Sequence, residues 1–508
     1  MIVRTLVRCA LPLLLTMGTA VPATAAADDA PARVDTAVRP FATLTGTMTR
    51  ADHEHYREIP FILPAGVTRL TIRFSYEGRE QKAAIDMGLV DPQRLRGWSG
   101  GARSGMTLSE TDATPGYLPG LLPAGKWHLL LGVPNLRVDG HAPWKAEIFV
   151  ERGAIVTSFA DAPLNDKAGW YRGDLHMHTG NSDGKCSAQS GRKVPCPVYR
   201  TLEAAAARGL DFIAVTDHNT TAQSNALREL QPAFDRLLLV PGREITTFYG
   251  HANVFGITAP LDWRMDAPTW AQARKWMEAA NRAGGIVSLN HAGSPSGENC
   301  MGCGWRVPDL PAGTVGAVEV INGGTMAETG RPDSPNQGIG LWDRLLAAGK
   351  HVTGIGGSDN HDAPTADKLP NPVGTPTTVV YMKELSVPGF LAGIRAGRVF
   401  IDIDGTGGRM LDLVASAQGR AIHMGETLEV PKGDEVTLDP QVRGVEQGTV
   451  ALLVDGVAVS ALTRATDGVS GSVMWRSDGE RHSIRAEVRD KAGKLILLGN
   501  PVYIAPAR

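Results

Sequence analysis

The feature that most constrains this chain is a pattern that recurs between about Trp170 and Phe400: a short apolar run that stops at histidine, aspartate or glutamate. It first appears as Gly173-Asp174-Leu175-His176-Met177-His178-Thr179, followed by Asp183-Gly184. Residues two apart on a strand share a face, so both imidazoles can reach one cation. Phe212-Ile213-Ala214-Val215 then runs into Thr216-Asp217-His218-Asn219, and Leu237 to Val240 into Arg243-Glu244, with Gly250-His251-Ala252-Asn253 close behind. Ile286 to Leu289 ends in Asn290-His291, and Gly356-Gly357-Ser358 in Asp359-Asn360-His361. Of the 13 histidines in the chain, all but one of those in this stretch take such places beside acidic residues. Histidines scattered through a core would not be placed this way.

Between these runs the spacing predicts helices over Val198 to Arg208, closed by Gly209, over Trp270 to Ala283 before Gly284-Gly285, over Gly340 to Ala348 before Gly349, and over Val387 to Ala396. Strands alternating with helices imply a parallel sheet or barrel. Such folds gather their ligands at the carboxyl ends of the strands. The helical period is missing on either side. From about Phe41 to Val150 the chain shows alternations such as Thr68-Arg69-Leu70-Thr71-Ile72-Arg73-Phe74, punctuated by Gly and Pro, which predict a jelly-roll-like β-sandwich. After about Met410, runs such as Val450 to Val454 before Asp455-Gly456 predict a second sandwich of immunoglobulin-like size. His53 and His55 sit at a strand entrance and read as solvated.

Composition narrows the partners. In 508 residues, 51 Lys+Arg face 53 Asp+Glu, a formal charge of -2, so there is no overall footprint for nucleic acid. Leu11 to Val21, after Arg4 and Arg8 and before Ala25-Ala26-Ala27, reads as a signal peptide cleaved near Ala27. The run is shorter than the roughly 20 apolar residues that span a bilayer. A secreted or periplasmic location follows, and there disulfides persist. Cys186 with Cys196 and Cys300 with Cys303 are the expected local bridges. A zinc-thiolate site at Cys300-x-x-Cys303 is the rival, but it lacks a second Cys-x-x-Cys. The loop Ser294 to Trp305 follows His291 directly, so a bridge there would stiffen one wall of the site.

Taken together, Asp-Leu-His-x-His-Thr, Ser-Asp-Gly, Thr-Asp-His, the strand-end Glu, the late Asn-His and Ser-Asp-x-His resemble, in order and spacing, the polymerase and histidinol phosphatase (PHP) superfamily. The resemblance spans about Trp170 to Phe400. Gly-Arg-Glu-Ile-Thr-Thr and Gly-His-Ala-Asn-Val-Phe-Gly are similar to its secreted branch that includes carbaryl-type hydrolases. The resemblance implies a multidomain chain whose centre, 165–405, is a distorted seven-stranded, TIM-like β/α barrel. A signal peptide (1–27) and an N-terminal β-sandwich (28–160) would precede it, and an immunoglobulin-like β module (406–508) would follow. It also implies two or three divalent cations, zinc, manganese or iron. His176, His178, Glu244 and Asp359 would hold one, and Glu244 would bridge to a second held with His251 and His291. Asp183, His218 and His361 would hold a third; Asp183 stands where the superfamily often has histidine, which suits a harder cation. Asp217 would orient a ligand, and Asp359 would also be catalytic, steering a proton.

The chemistry also follows from the ligand types. Mixed imidazole and carboxylate sites suit divalent transition metals, and a water shared between two of them is hydroxide near neutral pH. The expectation is a metal-dependent phosphoesterase acting on phosphate mono- or diesters by direct attack, with a small-molecule or phosphate-ester substrate. A carbamate or amide hydrolase on the same centre is the alternative, and a metal-stabilised surface-binding protein is the non-enzymatic one. Arg243, Asn290, Asn322 and Lys185 are candidates for substrate contact, and Glu319, at the end of the run Val315 to Val320, points to the same mouth. A signal peptide and the lack of a basic region exclude a polymerase-associated role.

Overall fold

The computed structural model of the chain describes residues 39–507, apart from 299, 364–370, 460–463 and 466–470. The signal-peptide segment 1–27 lies outside the described residues. Among the described residues no helix is long and apolar enough to cross a membrane.

The alternating N-terminal sequence folds into two four-stranded antiparallel sheets. One orders Ala42–Thr49, His141–Arg152, Val67–Tyr76 and Gly105–Ser109; the other orders Tyr56–Leu63, Gly125–Asn135, Ala84–Val90 and Leu95–Gly100. The period of two sends Leu70, Ile72 and Phe74 inward, where they meet Met87, Leu89, Trp127 and Leu129 from the facing sheet.

In the middle of the chain Gly169–Asp174, Phe212–Val215 and Leu238–Thr247 are parallel neighbours. Leu238–Thr247 then reverses through Phe248-Tyr249 and pairs antiparallel with Gly250–Phe255, itself antiparallel to Ile286–Leu289. Ala317–Asn322 and Thr353–Gly357 continue in parallel. On the other flank Gly169–Asp174 pairs antiparallel with Thr377–Met382, which pairs antiparallel with Val399–Asp402.

This corrects the expectation of a TIM-like, seven-stranded β/α barrel. Among the described residues strands take 42% and helices 14%, too little helix to wrap a barrel. The central sheet is mixed, and among the described residues no ladder joins Thr353–Gly357 back to Gly169–Asp174; the segments that follow them pair by backbone in the single bridge between Met177 and Asn360. The physical reason lies partly at Phe248-Tyr249. A parallel crossover needs a dozen or more residues, whereas a two-residue return can only make an antiparallel pair.

The sheet also does not stop at the expected boundary near 406. Val399–Asp402 pairs with Leu495–Gly499, in the register Phe400 to Gly499 and Ile401 to Leu498, so it runs on into the C-terminal region. There His482–Asp490 and Gly448–Val454 face a second sheet of Met410–Ala417, Arg420–Ile422, Glu435–Arg443 and Val473–Arg476. Leu411, Leu413, Val436, Leu438, Leu452 and Ile484 fill the space between. The buried Asn500 locks the junction: its Oδ1 accepts from Gly354 N at 2.7 Å, and its Nδ2 donates to the carbonyls of Gly354 at 2.8 Å and Val399 at 2.9 Å.

A charge cluster joins the N-terminal sandwich to the centre. The fully buried Asp112 carboxylate accepts from Arg69 Nη1 and Nη2, each at 3.3 Å, from Ser109 Oγ at 2.6 Å, and from Arg228 on the helix Gln223–Leu230. Burial pushes this carboxyl up, but Arg228 and Arg69 outweigh burial and hold it at about 2. The folded value lies below the ordinary one of 3.8, so the stabilisation is present above that value and is lost as pH falls toward 2. It amounts to about 2 kcal/mol. Asp112→Asn, which leaves two guanidinium groups buried without their carboxylate, is expected to cost about 3 kcal/mol or more at neutral pH. Urea unfolding checks this, and the gap between variant and parent should narrow from roughly pH 4 to pH 2.

Candidate metal centre

Glu244 sits in Leu238–Thr247, a strand buried along nearly its whole length, and is itself 0% exposed. Its Oε2 lies 3.4 Å from His176 Nε2, 3.6 Å from His178 Nε2 and 3.0 Å from His218 Nδ1. Its Oε1 lies 3.4 Å from His251 Nδ1 and 3.3 Å from His291 Nε2, and accepts a hydrogen bond from Asn290 Nδ2 at 2.8 Å. The hairpin explains His251. Glu244 stands opposite Asn253, so His251, two residues earlier on the returning strand, is its diagonal neighbour on the same face. Backbone bonds tie the other segments together: Asp359 N donates to His176 O, and His178 N to Asn360 O.

The nine residues singled out as ligands all come together. Their donor atoms, within 4.8 Å of one another in each group, form His178 with Asp183, His218 and His361; His176 with His178 and Asp359; and His176 with Glu244 and His291. A further group joins His251 and His291 to Cys303. Each group shares an imidazole with the next. His178 belongs to the outer group as well as to the one with Asp359, and its ring stacks on those of His218 and His361 at 4.4 and 4.2 Å. The outer group is the open one, with the Asp183 side chain 54% and that of His361 41% exposed.

These residues fit a metal. His176 Nε2, His178 Nδ1, Glu244 Oε2, His251 Nε2 and His291 Nδ1 are buried without a hydrogen-bond partner. Buried polar atoms are rarely left so, and several converging lone pairs leave a place that a cation would satisfy.

Other residues hold the ligands in place. Glu319 Oε1 bonds His176 Nδ1 at 2.9 Å, and its Oε2 accepts from His291 N and Asn322 Nδ2. Asp217 turns away from the imidazoles and accepts from Thr179 N, Thr179 Oγ1 and Ser182 Oγ, each at 2.7 Å, fixing the loop that carries Asp183. Thr246 Oγ1 contacts His218 Nδ1 at 2.5 Å. Asp174, a fully buried carboxylate, accepts from the backbone of His176, Ser358 and Gly374 and so joins the first and last ligand segments. Sequence reading gave Asp174 no role, although a carboxylate two residues before a histidine pair was a signal. Positive φ at Asn219, His291 and Asp359 (53°, 27° and 54°) marks the bends after three strand ends, a strain that accumulates at functional sites.

Other candidates fall elsewhere. Arg243 donates to the Ala259 carbonyl, away from the cluster, and Lys185 meets it only through its backbone N–H to His361 O. His55 Nδ1 contacts the His53 carbonyl, and neither histidine belongs to a metal-type group among the described residues. Cys300 and Cys303 stand at disulfide distance, Cα to Cα 5.6 Å. The expected Cys186–Cys196 bridge is corrected: both are buried free thiols. The hairpin pairs Cys186 with Val194, which leaves Cys196 beyond its end, bonded through its backbone to Gly184.

The electrostatics follow from this crowding. Burial raises Glu244 and Asp359, but the surrounding imidazoles, His176 foremost, hold both well below the ordinary carboxylate range. Burial lowers His361, but the Asp183 carboxylate outweighs it and lifts the imidazole to about 9, whereas burial takes His178 down to about 4. His361 is thus protonated near neutral pH, and a cation bound there would displace its proton. Near neutral pH, zinc titrated into chelator-stripped protein is expected to release protons, so its binding heat changes with the ionisation enthalpy of the buffer. Glu319→Gln should weaken zinc affinity by about 10- to 100-fold in the same titration.

No family model matches the chain, and no curated protein does. Among solved structures it is similar to the fibronectin(III)-like modules of Clostridium thermocellum CbhA, at 16% identity and a TM-score of 0.15, over 20% of this chain and 100% of that one.

Proposed function

We propose that the chain is a metal-dependent hydrolase, foremost a phosphoesterase, acting outside the cytoplasm. The observation that carries this reading is the buried Glu244 carboxylate, ringed by five imidazoles and continuous with three further groups of metal-type side chains. The motif order that resembles the PHP superfamily supports it, and the apolar N-terminal run supports the location. Bound divalent cations would supply Lewis acidity and lower the pKa of water at the site. His176, His178 and Asp359 would hold one, Glu244 with His251 and His291 a second, and Asp183, His218 and His361 the outermost.

The chain supplies the rest. Asp359 is ionised and 19% exposed at its side chain; its Oδ1 lies 3.2 Å from His178 Nε2, and its Oδ2 accepts from Asn322 Nδ2 at 3.3 Å. In this reading it would take up a proton from the attacking water. The exposed Asp183 and His361 line the side from which substrate arrives, while the deeper imidazoles exclude bulk water. Adjacent cation sites suit the several oxygens of a phosphate ester. One observation favours a carbamate or amide hydrolase as the second reading: Arg243, the arginine beside Glu244, spends its guanidinium on the Ala259 carbonyl and offers no fork to a phosphate.

Elemental analysis together with p-nitrophenyl phosphate, bis-p-nitrophenyl phosphate and a naphthyl carbamate tests the reading. Roughly two to three cations per chain and phosphate-ester turnover abolished by chelation are expected, with His176→Ala losing both. Carbamate turnover alone would move the second reading to first place, and protein that takes up no metal would overturn both.

A further inference from the structure

Cys303 is out of place for a cysteine whose only task is to close a loop. It is 1% exposed, and its Sγ lies within 4.8 Å of a ring nitrogen of both His251 and His291. Each of those rings turns one nitrogen to Glu244 Oε1, while the other, His251 Nε2 and His291 Nδ1, is buried without a partner. Two imidazoles and a sulfur at this spacing are three of the donors of a tetrahedral zinc site, which leaves a fourth position for water.

The backbone keeps the sulfur there independently of the disulfide. The segment carrying Cys303 lies against the hairpin so closely that a Cβ on Gly302 would stand 2.3 Å from Thr247 O, and one on Gly250 2.4 Å from the Trp305 ring. Trp305 N donates to Ala292 O, and Arg306 N to Tyr249 O, which fasten the segment just beyond Cys303. Cys300 is the more exposed partner of the pair.

We propose that Cys303 is a latent metal ligand, masked by its bond to Cys300 and released by reduction to join His251 and His291 in a three-donor site. The proposal rests on the metal-centre reading above. A dithiol reductant reaches the accessible sulfur first: its thiolate attacks Cys300 Sγ, the Cys300–Cys303 bond breaks, and Cys303 leaves as thiolate beside the histidines. The second thiol of the reductant then displaces Cys300, which takes up a proton, and the reductant departs as its own disulfide. The Cys303 thiolate binds the cation. The oxidised centre offers only nitrogen and oxygen donors, whereas the reduced one adds a soft sulfur and so favours zinc. The redox state of one loop thereby selects the metal.

Cobalt(II), loaded anaerobically into the full chain, tests this by absorption. The oxidised protein should show the visible d–d bands of nitrogen and oxygen ligation without a sulfur-to-cobalt charge-transfer band in the near ultraviolet. That band should appear in protein reduced with a phosphine and desalted, and in Cys300→Ser without any reductant. It should be missing from Cys303→Ser in both states, which separates Cys303 from the free thiols Cys186 and Cys196. Visible bands that persist with no charge-transfer band in either reduced protein or Cys300→Ser would overturn the proposal and leave the metal centre standing. No cobalt bands in any form would overturn the metal centre itself.

Discussion

A carboxylate removed from water among five imidazoles is the interaction around which the centre of this protein is arranged. An ionised glutamate with no access to solvent costs several kcal/mol unless positive charge surrounds it. Glu244 obtains that charge chiefly from His176, and the imidazoles around it are delivered by different parts of the chain, each delivery requiring a particular backbone arrangement. The hairpin register brings His251, the bend at His291 turns its ring inward, and Asp174 fastens the segments of His176 and Ser358. Glu319 then sets the tautomer of His176 by bonding its Nδ1, leaving Nε2 to face Glu244.

The sheet serves this arrangement by ending its strands at one place. Parallel neighbours carry the ligands of the first and second motifs side by side, and the antiparallel hairpin folds a third histidine over them. Helices are few, so neighbouring β-structure supplies the cover instead. The N-terminal sandwich reaches the helix after His218 through Asp112 and Arg228, and the C-terminal sandwich extends the central sheet through Val399–Asp402. Both modules are therefore built into the surroundings of the cluster.

The side chains that converge around Glu244 were legible in the sequence because each stands at the end of an apolar run, where a charged or imidazole group has no packing role. His176, His178, His218, Glu244, His291 and Asp359 all announce themselves in that way. What joins the strands was less legible. Periodicity marks where a strand stops but not whether the chain returns beside it, so the reversal at Phe248-Tyr249 and the open, mixed sheet were missed. Contacts between distant segments escaped for the same reason: Asp174 to Gly374, and Cys303 to His251 and His291, are matters of folding in space. Cys186 and Cys196 do come together as neighbouring buried side chains, as their separation of ten residues suggests, but as free thiols.

The Asn500 lock has a consequence for how the chain acquires its shape. Val399–Asp402 has its outer edge covered by Leu495–Gly499, and the Asn500 amide bonds Val399 across 101 residues of sequence. A chain emerging from its amino end exposes that edge until Leu495–Gly499 has been made, and an uncovered strand edge invites pairing with other chains. Thr353–Gly357 waits for the same amide at Gly354. Leu495–Gly499 and Asn500 therefore act as a clasp, and the segment beginning at Ser358 is supported from that side only when the clasp shuts.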